Sequence, residues 1–301
     1  MAKRESRIEH LLNAKLIWLS GALLAASWVS AHANEHQRLA LQPNDRNWPI
    51  TNITINGQET PALLDTGATI ALINDELLAQ GSWDEQAPET RVLGIGGHRL
   101  FPVTRIPRLT AGAQTYYNMR VAVNTRDVFP VEQNILPTSM FRTSIVDFDF
   151  PKRRVDLYDG YPKFVQGAQR SAISYIYREG LIYIPVRING VRGRALIDTG
   201  ASVSFVNPLF AELAKGRVRI DPEQDIQGSD LERNPVRMYN FRNLRFGDNQ
   251  IEKFGVPVFE TEMFKDLGFR DEPMMVMGMD LLGNFRLQLD QKRRRLVMLR
   301  E

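Results

Sequence analysis

The chain contains an internal repeat, and no other feature of the sequence constrains the fold as strongly. Residues 62–74 (ALLDTGATIALIN) align without gaps to residues 195–207 (ALIDTGASVSFVN), with seven identities in thirteen positions at an offset of 133 residues. Before each copy lies a segment in which apolar and polar residues alternate, followed by an Asn-Gly turn, at 48–57 and 181–190. The match indicates two homologous halves in tandem.

The two halves also close alike, since residues 146–155 resemble residues 287–296. Short strand-like runs alternate with Gly, Pro and Asn turns, and the only helices expected are short ones after Asn74 and Asn207, which are in cap position. The sequence therefore predicts an all-β fold.

The expected boundaries follow the repeat. They are an N-terminal segment at 1–33, a first lobe at 34–159, a linker at 160–171 and a second lobe at 172–301.

The N-terminal segment has the pattern of an export signal. Basic residues precede an apolar stretch at 16–29, and residues 31–33 (Ala-His-Ala) follow it as a cleavage pattern. The stretch is shorter than the roughly 20 residues that span a bilayer, which favours a cleaved signal peptide over an anchor. We expect a periplasmic or secreted protein. The alternative is inner-membrane anchoring through residues 16–29, the only membrane contact expected.

Composition removes several classes of site. The chain has no cysteine and four histidines, of which only His98 lies inside the expected folded body. A Ser-His-Asp triad or a multi-histidine metal site would need residues that are absent from it, and no metal or cofactor is expected.

Charge argues against a nucleic-acid partner. The 38 basic and 35 acidic residues are scattered and give a net charge of only +3. The basic runs at 152–154 and 292–295 are interpreted as solvated turns.

Asp65 and Asp198 stand at equivalent positions of the repeat, each in an Asp-Thr-Gly tripeptide after an apolar strand. Two carboxylates held together cannot both ionise easily, so the pair retains one proton over an intermediate pH range. The ionised carboxylate of such a pair can activate a water, and the protonated one can donate to a carbonyl oxygen. Both residues are candidate catalytic groups.

The neighbouring residues suit the same interpretation. Gly67 and Gly200 would let the two loops approach closely, and the hydroxyls of Thr66 and Thr199 could bond across to the opposite loop. The alternative is a duplicated structural turn without catalysis.

Both loops resemble those of the retropepsin-type aspartic peptidases, whose pattern Asp-Thr-Gly-Ala occurs at 65–68 and 198–201. The family's second signature, two apolar residues and a glycine leading into a short helix, is similar to residues 276–282 (VMGMDLL). The first half departs from it, because Pro137 stands where the glycine would be. This departure leaves open the packing beside Asp65.

The resemblance implies two closed β-barrel lobes that form a pepsin-like pseudo-dimer within one monomeric chain. It implies an aspartic endopeptidase with a peptide or protein substrate, which the N-terminal pattern predicts to be exported. A catalytically silent tandem module that binds peptides or proteins at the cell envelope remains the alternative, and lobes that pair between two chains would be a third arrangement. The family also has a mobile flap, for which the candidate residues are Gly94, Ile95, Gly96 and Gly97.

Overall fold

The computed structural model describes residues 36–78, 88–94, 97–125, 134–227, 233–259 and 262–300. Residues 34–301 form one compact unit with its own hydrophobic core. In these described ranges no helix is long and apolar enough to cross a membrane.

Short strands dominate the first half. They are β1 (Gln37–Ala40), β2 (Ile50–Ile55), β3 (Gln58–Asp65), β4 (Leu72–Asn74), β5 (Glu89–Gly94), β6 (Gly97–Ala111), β7 (Gln114–Asn124), β8 (Ile135–Pro137), β9 (Ile145–Asp149) and β10 (Arg154–Tyr158). Two 3-10 turns, Asp75–Leu77 and Thr138–Met140, follow β4 and β8.

The second half has a similar order, and three short helices lie among its described residues. Its strands are β11 (Gln169–Ser174), β12 (Ile176–Arg178), β13 (Leu181–Ile188), β14 (Val191–Ile197), β15 (Phe205–Val206), β16 (Arg217–Gln227), β17 (Arg233–Phe246), β18 (Asn249–Val258), β19 (Met274–Met277), β20 (Arg286–Asp290) and β21 (Arg295–Arg300). Its helices are α1 (Pro208–Leu213), α2 (Glu262–Asp266) and α3 (Met279–Leu282).

Each half closes into a six-stranded barrel. In the first half the strands run in the order β2-β3-β8-β4-β7-β6, and a pairing of β2 with β6 closes the ring. The second half has the order β13-β14-β19-β15-β18-β17, closed by β13 and β17. The predicted all-β fold of two retropepsin-like barrels is confirmed.

Local sequence explains how the barrels begin. In β2 the alternation buries Ile53 and Ile55, and the turn that follows has positive φ at Asn56 (51°) and Gly57 (94°). This geometry is the type I′ hairpin that Asn-Gly favours. The second half repeats it at Asn189 (49°) and Gly190 (88°).

The predicted helix caps are also confirmed. The side chain of Asn74 accepts a hydrogen bond from the backbone N–H of Glu76, and that of Asn207 accepts one from Phe210 at the start of α1. Asparagine in this position satisfies a backbone donor that the helix itself leaves free.

A third sheet joins the two lobes, in the order β1-β10-β9-β20-β21-β11. At its centre β9 of the first lobe pairs with β20 of the second, with Asp147 opposite Gln288. The Arg286 guanidinium donates to both carboxylate oxygens of Asp147, at 2.8 and 2.7 Å. β11 begins at Gln169, inside the segment expected as linker, and the domain boundaries otherwise stay a prediction.

Candidate active site

Both candidate aspartates lie where a strand leaves its barrel. Asp65 is the last residue of β3, and Asp198 directly follows β14. The residues before them, Leu64 and Ile197, are fully buried. Because apolar side chains fix these strands in the cores, the polar loops that follow are held in fixed positions.

The two loops meet at their glycines. A Cβ atom at Gly67 would lie 2.6 Å from the carboxyl carbon of Asp198, and one at Gly200 would lie 2.5 Å from Oδ2 of Asp65. Each carboxyl therefore packs directly over the glycine of the opposite loop, in space that any side chain would fill. This is the close approach that the sequence predicted for Gly67 and Gly200.

Thr66 and Thr199 connect the loops through four buried hydrogen bonds. The Thr66 hydroxyl donates to the carbonyl oxygen of Ile197 at 2.7 Å and accepts from the N–H of Thr199 at 3.0 Å. Reciprocally, the Thr199 hydroxyl donates to the carbonyl oxygen of Leu64 at 2.7 Å and accepts from the N–H of Thr66 at 3.1 Å. Every donor and acceptor at the crossing is paired, so the two aspartates are held in register.

The surroundings of the pair favour a shared proton. Burial raises the pKa of Asp65 well above its ordinary value, the nearby charge of Asp198 raises it further, and a hydrogen bond between the two carboxyls acts in the same direction. Burial also raises the pKa of Asp198. Both side chains nevertheless keep partial exposure, so a water or a substrate can reach them.

The two carboxyls accept different sets of hydrogen bonds. Asp198 Oδ1 accepts hydrogen bonds from the N–H groups of Gly200 at 2.9 Å and Ala201 at 3.0 Å. Asp65 Oδ1 accepts such a bond from Gly67 at 2.6 Å, and the backbone of Gly200 in the opposite loop also lowers the pKa of Asp65. The hydrogen bond between the two carboxyls raises the pKa of Asp65 and lowers that of Asp198, and this favours the proton on Asp65 and the charge on Asp198.

A family model for aspartyl proteases matches residues 51–139 and 184–281, together more than half of the chain. The chain belongs to the retropepsin-like aspartyl protease family. Each match covers most of one barrel and contains one Asp-Thr-Gly loop. No curated protein matches the chain significantly.

The family signature near the end of each domain is built differently in the two lobes of this chain. Gly278 begins α3, and its N–H donates to the hydroxyl of Ser204 at 2.9 Å. That hydroxyl donates in turn to Asp280 Oδ1 at 2.6 Å, which also accepts from the N–H of Ser204. The network braces the Asp198 loop against α3. The sequence pattern included Asp280 without assigning it a role, and nothing in it singled out Ser204.

Pro137 occupies the place of Gly278 in the first lobe, directly opposite Asp65 in the register of β3 with β8. A proline has no N–H, and the residue equivalent to Ser204 is Ala71, which has no hydroxyl and is buried. The donor and its acceptor are thus both missing, so no buried polar group is left unpaired by the proline. The departure noted in the sequence has a structural reason and leaves Asp65 in place.

The candidate flap coincides with a hairpin. β5 and β6 pair from Glu89 opposite Pro102 to Gly94 opposite Gly97, and α2 of the second lobe lies against β6. Ile95 and Gly96, at the tip, lie outside the described residues, as do residues 228–232 in the equivalent hairpin of β16 and β17. Covering of the site by this hairpin stays a prediction.

Within the described part of the chain, no cluster of three or more His, Asp or Glu side chains is arranged to hold a metal ion.

Proposed function

We propose that the protein is an exported aspartic endopeptidase that hydrolyses peptide bonds with a water activated between Asp65 and Asp198. The observation that carries this proposal is the placement of each carboxyl over the glycine of the opposite loop, with the threonine hydrogen bonds fixing the crossing. Family membership supports the kind of protein, and the geometry supports the activity.

The two carboxyls take different parts in the first step. Ionised Asp198 accepts a proton from the water, whose oxygen attacks the carbonyl carbon of the scissile bond. Asp65 donates its proton to the carbonyl oxygen, which gives a tetrahedral diol. The backbone donors of Gly200 and Ala201 and the raised pKa of Asp65 support this assignment.

In the second step the diol collapses. Asp198 returns its proton to the leaving nitrogen, the C–N bond breaks, and one diol hydroxyl passes its proton to Asp65. The dyad then holds the same single proton as at the start. Because the loops are already held by buried hydrogen bonds, little reorganisation is needed during the reaction.

The silent binding module drew its support from Pro137. The first lobe has Ala71 where the second has Ser204, so the N–H that Pro137 lacks has no acceptor to satisfy, and the geometry of the two aspartates is retained. We therefore favour the enzyme. Export follows from the N-terminal pattern, with a mature chain that starts near Asn34 and acts in the periplasm or outside the cell as a monomeric pseudo-dimer.

The test is digestion of a peptide library by residues 34–301, with Asp198→Asn as the comparison. Asp75→Asn is the matched control, since Asp75 lies ten residues beyond Asp65 at the start of a 3-10 turn, outside the dyad. We expect cleavage by the wild type and by the control, and none by Asp198→Asn, which should still unfold cooperatively and at no lower temperature than the wild type. Full activity of Asp198→Asn would contradict the assignment of Asp198 as a catalytic residue.

A further inference from the structure

Aromatic and basic side chains come together at one end of the sheet that joins the lobes. They belong to the segment after β10 and to the turn between β20 and β21. The Arg293 guanidinium lies over the Tyr161 ring at 3.7 Å and donates to the carbonyl oxygen of Gly160 at 2.7 Å. We define the basic-aromatic patch by its members: Tyr161, Lys163, Phe164, Lys292, Arg293 and Arg294.

Two large aromatic side chains of the patch are exposed to solvent. Tyr161 is 72% exposed and Phe164 is 78% exposed. A single exposed aromatic is ordinary, but two within four residues, beside four basic side chains, form a mixed surface that solubility does not explain.

Nearby acids offset only part of this charge. Asp290 is 1% exposed and pairs with Arg293, and Asp159 is exposed beside Ser144, so two carboxylates stand against the four basic side chains and the patch stays positive. The outward-facing charges of Lys163, Lys292 and Arg294 are positive, and all three residues are exposed.

The described part of the chain begins at the same end of the sheet. β1 pairs Gln37 with Leu157, and the His36 ring lies 5.8 Å from that of Tyr158. The Lys163 ammonium lies 4.3 Å from the centre of the same Tyr158 ring. In the sequence, only residues 30–35 separate His36 from the apolar stretch at 16–29.

We propose that the basic-aromatic patch is a docking surface for a lipid bilayer that contains anionic lipid. Lysine and arginine are attracted to anionic headgroups, and exposed aromatic rings partition into the interface between headgroups and acyl chains. Exposed rings beside cationic side chains are the combination that the headgroup interface of a bilayer accommodates, and this favours a bilayer over an acidic protein as the occupant, whether or not residues 16–29 are retained. The proposal does not depend on catalysis, and it concerns the folded body rather than residues 16–29.

Vesicle sedimentation with residues 34–301 tests the patch without the apolar stretch. Vesicles of phosphatidylglycerol and phosphatidylethanolamine should sediment the protein in ~0.1 M salt, whereas phosphatidylcholine vesicles should not, and ~0.5 M salt should release it. Arg294→Glu should weaken binding about fivefold or more, and Phe164→Ser should weaken it similarly. Lys292→Glu, at a second exposed position, should repeat the charge effect.

The chain supplies two matched controls. Arg153 is the equivalent of Arg294 in the turn between β9 and β10, with positive φ of 45° against 52°, so Arg153→Glu makes the same charge change under the same backbone geometry. Tyr117 is as exposed as Tyr161, at 72%, but lies on β7, so Tyr117→Ser controls for loss of an exposed ring.

Binding that the controls reduce as much as the patch variants would overturn the proposal, as would no binding to anionic vesicles by the wild type. Patch variants that keep normal thermal unfolding and peptide cleavage in solution, but lose sedimentation, support it. Vesicle binding that is intact in all patch variants would contradict it as well.

Discussion

At the residue scale, the hydroxyls of Thr66 and Thr199 decide how the two aspartates meet. Each hydroxyl both donates and accepts across the crossing. Thr199→Val keeps the shape but leaves the carbonyl of Leu64 and the N–H of Thr66 unpaired in a buried place. We expect it to lower the free energy of unfolding by about 2–4 kcal/mol and to reduce kcat.

Thr199→Ser is the matched control, because it keeps the hydroxyl and removes a methyl group. Chemical denaturation and steady-state kinetics measure both variants. A valine variant as stable and as active as the serine variant would contradict the assigned role.

The ionisation of Asp65 makes a second prediction, about stability. Burial and Asp198 raise its folded pKa above the ordinary value of 3.8. Its contribution to stability is thus fully present below about pH 3.8 and is lost as pH rises through the folded pKa. Asp65→Asn has no such loss, so at pH 7 it should unfold at a temperature higher by about 2–4 °C or more.

Thermal unfolding at several pH values measures how the difference in unfolding temperature between the two proteins changes with pH. The difference between Asp65→Asn and the wild type should vanish below pH 3.8. A constant difference at all pH values would mean that the carboxyl is not desolvated.

At the scale of elements, the two Asp-Thr-Gly loops are supported unequally. Ser204 joins Gly278 to Asp280 in the second lobe, whereas Ala71 and Pro137 occupy the positions of Ser204 and Gly278 in the first. Ser204→Ala removes an acceptor from a buried N–H, so we expect a loss of about 1–3 kcal/mol in the free energy of unfolding, with a fall in kcat.

The first lobe provides the control for that network. Ala71→Ser should gain no stability, because Pro137 has no N–H to donate. Pro137→Gly should destabilise the protein, and the double change Ala71→Ser with Pro137→Gly should recover part of the loss. Denaturation of the wild type, the two single variants and the double variant measures the coupling free energy between positions 71 and 137. Strictly additive changes in the free energy of unfolding would contradict the predicted hydrogen bond.

These elements mark how far the sequence could predict the site. The repeat placed Asp65, Asp198 and the loop glycines correctly near each other, because a duplicated strand and turn keep their relation to a pseudo-twofold axis. The partnership of Ser204 with Gly278 joins residues 74 positions apart, and alternation along a strand does not reveal it. The absence of a hydroxyl at Ala71, which matches the absence of an N–H at Pro137, could not be predicted from the sequence for the same reason.

At the scale of the whole molecule, the central sheet makes the lobes one unit. Asp147 of the first lobe accepts from Arg286, Gln288 and Tyr158, and both Asp147 and Gln288 are fully buried. The lobes are thus joined by an unlike pair, Asp147 opposite Gln288, although the strands that carry them are equivalent. The sequence predicted the closing strands, but not that they would pair across the lobes with a buried ion pair.

Breaking this pair should destabilise the whole molecule. Asp147→Asn removes the bidentate partner of Arg286 and leaves it only the longer ion pair with Asp149, at 3.5 Å, in a buried place, and we expect a loss of about 3 kcal/mol in the free energy of unfolding. The double change Asp147→Leu with Arg286→Met should cost much less, because no charge is left unpaired. Equal losses for the single and double variants, measured by denaturation, would refute the account of this pair.

If Asp65 and Asp198 act as one catalytic unit, a double-mutant comparison of kcat/KM on a cleaved peptide will show it. Groups that act together are strongly non-additive. Each of Asp65→Asn and Asp198→Asn should lower kcat/KM by about a thousandfold or more, and the double variant should be no slower than the slower single variant. Substantial activity in either single variant, or losses that multiply in the double variant, would contradict a shared dyad.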